Sequence, residues 1–282
     1  MSAASLPDFL IEPLVRAALI EDLGPAGDVT TRATIPAGLR YSARLNARAP
    51  GVVSGVTLAA MAFRMVDPLL KITILRPDGS TVGAGDMVMQ IDGPAAAILM
   101  AERVALNFAG RLSGVATLTS AFVAQTKGHR ARITCTRKTT PGLRLVEKQA
   151  VLHGGGSAHR FGLGDAMLIK DNHIAAAGGI GPALTGARAQ ASHMLRIEIE
   201  VDTLAQLDEV LATGGADVVL LDNMDSRTLR RAVETVDGRL ICEASGNMTL
   251  ARIAEVAATG VDFISVGALT HSAPVLDLGL DF

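Results

Sequence analysis

The sequence predicts an α/β fold in two parts, an N-terminal α+β domain followed by a parallel βα barrel. Short apolar, β-rich runs recur after about residue 130 with helical patterns between them, which means a parallel sheet. The late runs repeat every 20 to 24 residues or so, about the step of a compact βα barrel. The first hundred residues read differently, as short alternating strands and helices that suit an antiparallel sheet.

In chain order, Phe9 to Leu19 has helical spacing, with Leu10, Leu14, Ala17 and Ala18 on one side. Ser42 to Val53 alternates as a strand broken at Pro50-Gly51. Lys71 to Leu75 and Met87 to Ile91 are strands around a turn at Pro77-Asp78-Gly79. Pro94 to Lys127 supplies one or two long helices. Strands then fall at Ile133–Cys135, Met167–Ile169, Leu195–Val201, Val218–Leu221, Leu240–Cys242 and Phe263–Val266. Arg144 to Leu152 reads as a helix ended by the glycines at 154 to 156. Thr203 to Gln206 forms a capping box, Gly214-Gly215 a stop, and Ser226 and Thr249 open the next two helices. Six strands leave a closed barrel and an open one both available.

Bulk composition narrows the function. At 282 residues the chain holds one large domain or two ordinary ones. Hydrophobic residues make up 49%, but Ala and Gly inflate that figure, and no apolar run reaches the ~18 residues of a membrane span. The most apolar stretch, Pro94 to Val123, is broken by Glu102, Arg103, Asn107 and Arg111, as in a buried or interface helix. Asp8 and Glu12 replace the basic start of a signal peptide. Cys135 and Cys242 lie in strand-like runs and read as buried thiols of a reducing cytoplasm. A net charge of −2, one Tyr and no Trp give no argument for nucleic acid or membrane binding.

Active sites of βα barrels sit at the C-terminal ends of the strands. Here those ends carry Arg137-Lys138, Lys170-Asp171-Asn172, Glu200, Asp222-Asn223, Glu243 to Gly246, and Gly267. One charged strand end is ordinarily a solvated turn; five on one face are more than coincidence. Arg137, Lys138 and Lys170 suit anions, and the planar fork of Arg suits carboxylates. Glu200 and Asp222 suit sugar hydroxyls, Mg2+ or a developing cation. Ser245-Gly246 and Gly267-Ala268, with a helix start at Thr249, offer bare backbone N–H groups to a phosphate. His159 alone would be structural; beside Arg160 and ahead of the strand ending at Lys170 it becomes a pocket residue. The set describes a phosphorylated sugar meeting an acidic partner.

These residues resemble a known family. Thr136 to Gly142 looks like the signature of quinolinate phosphoribosyltransferase (nicotinate-nucleotide pyrophosphorylase, carboxylating). So do Gly154 to Gly156 with His159-Arg160, Leu168 to His173, Leu221 to Met224, Glu243 to Gly246 and Ser265 to Ser272. Upstream, Glu21-Asp22, Gly27 to Thr31, Glu102-Arg103 and Leu106-Asn107 fit in order. The resemblance implies an open (incomplete) parallel α/β barrel over residues 113–273. It also implies an N-terminal α+β sandwich domain over 1–112, joined by the tail 274–282. It implies a homodimer, or a higher oligomer, with shared active sites, and the conversion of quinolinate and phosphoribosyl pyrophosphate to nicotinate mononucleotide, pyrophosphate and CO2 with Mg2+. Position by position, Arg103, Arg137, Lys138, His159 and Arg160 would hold quinolinate. Lys138, Lys170, Glu200 and Asp222 would serve the ribose-pyrophosphate and catalysis, with Glu200 and Asp222 on Mg2+ directly or through water. Ser245, Gly246, Gly267 and His271 would surround the 5′-phosphate. One departure is Asn247, where the family often has a second glycine; Asn tolerates left-handed backbone better than most residues.

Three enzyme rivals and one non-enzymatic reading remain. A molybdenum-transport-linked paralogue of the same fold would lose much of Lys170 to His173 and Gly267 to Ser272, both intact here. A nicotinate phosphoribosyltransferase does not need so many cations. A barrel aldolase would use Lys170 as a Schiff-base nucleophile and leaves Arg103, Arg137 and Arg160 unexplained. A phosphate-binding scaffold has no need of the carboxylate pair.

Overall fold

The structure is a computed structural model that describes residues 5–282. In chain order its elements begin α1 (Asp8–Leu23), α2 (Val29–Thr34), β1 (Arg40–Ala47), β2 (Gly51–Val52), α3 (Val56–Val66), β3 (Lys71–Ile74), β4 (Thr81–Val82), β5 (Met87–Pro94) and α4 (Ala95–Ala124). They continue β6 (Arg132–Thr134), α5 (Arg144–His153), β7 (Met167–Ile169), α6 (Asp171–Ala177), α7 (Ile180–Gln190), β8 (Ile197–Val201), α8 (Leu204–Thr213) and β9 (Val218–Asp222). Last come α9 (Ser226–Val236), β10 (Ile241–Ser245), α10 (Ile253–Ala257), β11 (Phe263–Ser265), α11 (Ala268–His271) and β12 (Leu278–Asp281). They form two compact units. The first takes the chain up to Ser120, Thr139–Gly155 and Leu269–Phe282; the second takes Ala121–Lys138 and Gly156–Ala268.

The first unit is built on an antiparallel sheet in the order β12-β1-β5-β3, with β2 and β4 as a separate pair. The run from Ser42 to Val53 is thus two strands in two sheets, parted at Pro50. In α1 the buried face is Ile11, Val15 and Leu19, not the expected stripe through Leu10 and Leu14. The two stripes differ by one residue of phase, and the buried one keeps a large or β-branched side chain at every fourth position where the other runs into Ala17 and Ala18. Asp28 caps α2, its Oδ1 accepting from Thr31 N at 2.9 Å.

Residues 95–124 form one 30-residue helix. Its small residues admit other chain segments: a Cβ on Gly114 would lie 1.9 Å from the carbonyl oxygen of Pro274, and one on Gly154, at the end of α5, 2.3 Å from that of Ala116. Part of the glycine run at 154–156 is therefore a packing requirement, besides ending the helix as expected.

The second unit is a sheet of six parallel strands among the described residues, in the order β6-β11-β10-β9-β8-β7. β6 and β7 are its edges and do not pair with each other, so the barrel is open. The Thr203 box forms as expected: Thr203 Oγ1 accepts from Gln206 N at 3.2 Å and Gln206 Oε1 from Thr203 N at 3.1 Å. The next helix opens at Ser226 as expected and is capped by Asp225, whose Oδ1 accepts from Thr228 N at 2.7 Å. Thr249 opens a short 3-10 turn that leads into α10. Cys135 and Cys242 are buried thiols outside any disulfide, and burial pushes the Cys242 thiol up to about 11. Among the described residues no helix is long and apolar enough to cross a membrane.

Candidate active site

The C-terminal ends of the six parallel strands carry the charged and glycine residues that the sequence singled out. Lys170 follows β7, Glu200 is the penultimate residue of β8, Asp222 ends β9 and Ser245 ends β10. Arg137 and Lys138 follow β6, and Gly267 follows β11. A parallel sheet aligns these ends by its register: Glu200 pairs with Leu220, and Asp222 with Ser245.

Lys170 Nζ lies 2.5 Å from Glu200 Oε2, joining the ends of β7 and β8 in an ion pair. The lysine side chain is about half exposed and the glutamate largely covered. Lys170 N also donates to His173 Nδ1 at 3.0 Å, which fixes the start of α6.

The β9 and β10 ends interlock. Gly246 has φ +88°, and a Cβ there would lie 2.2 Å from Asn223 Oδ1 and 2.8 Å from Asn223 N. Only glycine fits both the angle and the space. Asn247 follows at φ 50°, in the left-handed region, and its Nδ2 donates to Asn223 Oδ1 at 3.1 Å. The departure from a second glycine thus keeps the turn and adds a cross-strand hydrogen bond. Arg252 closes the same corner by donating to Met224 O at 2.5 Å and Gly246 O at 3.3 Å.

On the β6 side, Arg137 and Arg160 are half-buried and their Nε–H donors are buried with no acceptor among the described residues. Burial holds the Arg160 guanidinium below its ordinary value, and the charge of Arg137 pushes in the same direction; Glu198 and Asp165 oppose it. Two guanidiniums close enough to repel, each with its Nε–H unused by the protein, suit an anion with more than one negative charge. Lys138, beside Arg137, is exposed.

His159 sits between this cationic side and the strands. Its Nε2 is 3.0 Å from Glu198 Oε2 and 3.6 Å from Glu243 Oε1. The second separation is an ion-pair distance rather than a hydrogen bond. Both carboxylates are buried, at 6% and 5% exposure. The Glu243 carboxyl is pushed up to about 8, by burial first and by Glu198 second, while His159 pulls it down. The sequence reading missed Glu198 and placed Glu243 at a strand end. The alternation Ile197-Glu198-Ile199-Glu200 contained the signal, because period two puts Glu198 on the same side as Glu200.

Arg103 and His271 belong to the first unit. Arg103 is exposed on α4 beside Glu102, whose carboxyl is pushed up by burial. His271 is exposed at the end of α11, its Nδ1 2.6 Å from Ser272 Oγ.

Known proteins share this sequence and fold. Residues 28–113 match the family described as quinolinate phosphoribosyl transferase, N-terminal domain, and residues 115–281 match its C-terminal domain. A nicotinate-nucleotide pyrophosphorylase (carboxylating), chloroplastic, of Arabidopsis thaliana is 44% identical over 293 residues, 98% of this chain and 84% of the relative. A quinolinate phosphoribosyltransferase (decarboxylating) 2a, mitochondrial, of Nicotiana tabacum is 43% identical over 291 residues, 97% of this chain and 82% of the relative. The crystal structure of NadC from Streptococcus pyogenes superposes with a TM-score of 0.95 at 38% identity, covering 99% of this chain and 98% of that one. Both halves of the chain match one family in order, and its relatives are matched over most of their length: the chain belongs to the quinolinate phosphoribosyltransferase family.

Proposed function

We propose that the chain transfers the phosphoribosyl group of phosphoribosyl pyrophosphate to the ring nitrogen of quinolinate, giving nicotinate mononucleotide, pyrophosphate and CO2 in NAD biosynthesis. The observation that carries this reading is the pairing of two guanidiniums, Arg137 and Arg160, that feel each other's charge. Each keeps a buried Nε–H with no acceptor among the described residues, and His159 and Lys138 are their neighbours in sequence. Two adjacent carboxylates on one small ring match that charge. Arg103 would complete the set from a neighbouring subunit of a homodimer.

Lys138 and Lys170 would hold the phosphates, and Ser245, Gly246, Gly267 and His271 the 5′-phosphate. As pyrophosphate leaves, the ribose C1 gains oxocarbenium character, which Glu200 or Asp222 would face. Glu200 and Asp222 stand on neighbouring strands and present carboxylate oxygens, the donor type that Mg2+ takes, so the site fits that ion. Bound there, directly or through water, Mg2+ would offset the charge of the leaving group. Ribosylation turns the ring into a pyridinium, whose nitrogen draws electrons from the neighbouring C–CO2 bond; loss of CO2 then needs no organic cofactor. Two buried thiols outside any disulfide suit the cytoplasm.

The test is product analysis with quinolinate, phosphoribosyl pyrophosphate and Mg2+, run beside nicotinate. Quinolinate should yield nicotinate mononucleotide with one CO2, and nicotinate should turn over ~10–100-fold less well, the cost of one lost charge-assisted contact. Equal turnover of the two acids would remove the dicarboxylate reading.

A further inference from the structure

We propose that Glu198 and Glu243 are positioning residues for the pyridine dicarboxylate, acting through His159, which they grip from two strands of the barrel. The inference rests on the quinolinate reading of the cationic pocket and goes beyond it by naming what orients that pocket's imidazole.

His159 belongs to the segment 156–166, which has no helix or ladder strand, only an isolated bridge at Ser157. An unanchored imidazole on such a segment would sample several rotamers. Here it is tied to β8 through Glu198 Oε2 at 3.0 Å and faces Glu243 Oε1 of β10 at 3.6 Å. β8 and β10 flank β9, so the ring is referenced to three adjacent strands of a rigid sheet. Groups that hold a ligand on rigid elements, with a further layer of hydrogen bonds behind them, lose less of their binding energy to disorder.

The charges require the same explanation. Burying two carboxylates inside a barrel is expensive, and a purely structural core would favour apolar side chains. Glu198 Oε1 and Glu243 Oε1 are buried without a hydrogen-bond partner among the described residues, so the pair does not serve a saturated structural network. Besides each other and the Ser265 hydroxyl, the carboxyls face the His159 imidazole, at 3.0 and 3.6 Å, and Glu198 feels the charge of the Arg160 guanidinium. A pocket that crowds Arg137, Arg160 and His159 for a dianion needs interior acceptors to hold it together before the dianion arrives. An imidazolium that donates from Nε2 to Glu198 has Nδ1–H as its second donor, with its orientation set by the first bond.

The alternative for the same three side chains is a metal ion. Their ligand atoms lie within 4.8 Å of one another. The guanidinium beside Glu198 and the 3.0 Å bond already made by the imidazole favour the positioning role.

The experiment is steady-state kinetics on the full-length protein with Glu198→Gln, Glu243→Gln, His159→Ala and the double variant Glu198→Gln/His159→Ala. Wild type must first turn over quinolinate; absence of turnover there is a failure of the functional reading, seen before any variant is compared. Glu198→Gln should raise KM for quinolinate by about 10-fold, the cost of one charge-assisted hydrogen bond, and leave KM for phosphoribosyl pyrophosphate unchanged; Glu243→Gln, which keeps a neutral side chain of the same shape, should raise KM for quinolinate by less. Because Glu198 acts through His159, Glu198→Gln should add nothing further in the His159→Ala background. Glu198→Asp, which restores the charge, should recover part of the loss and serves if the glutamine variant does not fold. Equal rises in both KM values, additive effects in the double variant, or a stoichiometric transition metal retained by the purified protein would each overturn the proposal.

Discussion

Arg111 Nη2 donates to Glu147 Oε1 at 2.8 Å, and the same carboxylate accepts from Thr140 N at 3.0 Å and Thr140 Oγ1 at 2.8 Å. Glu147 is fully buried. Arg111 also donates to the carbonyls of Ala273, at 3.0 Å, and Thr270. One ion pair thus ties α4 and α5 to the loop that follows Arg137-Lys138 and to the segment around His271. Glu147→Ala takes the carboxylate partner from a part-buried guanidinium and the acceptor from two Thr140 donors, and should cost about 3 kcal/mol in urea unfolding. Glu147→Gln, which keeps an acceptor, should lose less. A Glu147→Ala protein as stable as wild type would show that the pair is incidental.

Lys170 decides between a transferase and an aldolase. It stands 2.5 Å from Glu200 as the cation of an ion pair, suited to phosphates rather than to attack on a carbonyl. Lys170→Arg keeps the charge and should retain measurable affinity for phosphoribosyl pyrophosphate, whereas Lys170→Ala should weaken it by roughly 10–100-fold. Borohydride treatment with substrate should leave Lys170 unmodified. Mass spectrometry showing a reduced adduct on that lysine would falsify its assignment to phosphate binding.

The buried Glu243 makes stability depend on pH in a defined window. Its carboxyl keeps its proton up to about 8 in the folded chain, against an ordinary value of 4.5. Between those values the folded state binds a proton that the unfolded state has released, so the contribution of Glu243 is fully present below 4.5 and is lost as pH rises toward 8. Glu243→Gln preserves the neutral shape and removes this dependence. Relative to wild type the variant should gain stability as pH rises through the window, a tenfold change in proton affinity being worth about 1.4 kcal/mol. Denaturant unfolding at a series of pH values reads the difference; a gap that stays constant across the window contradicts the assignment.

The strand ends were legible because a charge that stops an apolar run stands out, as at Ile169-Lys170 and Leu221-Asp222. Legibility failed where tertiary context sets the role. The run Leu240–Cys242 was read as a complete strand, but β10 continues to Ser245, so Glu243 is inside the sheet rather than at its edge. Glu198 lies in mid-strand, where nothing local marks it as facing a histidine 39 residues earlier. Arg111 and Glu147 are 36 residues apart on two helices, and only packing joins them. The phase of α1 turned on one residue, a distinction that apolar periodicity alone does not resolve when both stripes are apolar.

Arg103 tests whether active sites are shared between subunits. It is exposed on the long apolar helix α4, and the rest of the proposed quinolinate set, Arg137, Lys138, His159 and Arg160, lies in the other compact unit. An exposed cation on so apolar a helix has two readings, an ion pair within its own chain, with Glu102 or another acid, or a contribution across a two-fold interface. If the interface reading holds, each chain lends Arg103 to the Lys138 site of its partner. Arg103→Ala and Lys138→Ala should each be inactive alone. Mixed under conditions that let subunits exchange, they form hybrids in which one site has Lys138 from its own chain and Arg103 from the partner, while the other site lacks both. Random pairing makes about half the dimers hybrid, so about a quarter of all sites should recover activity. If Arg103 served its own chain, every site in a hybrid would lack one of the two residues and activity would stay at the single-variant background. That flat result, with exchange confirmed by mass spectrometry of isotope-labelled chains, would remove the shared site.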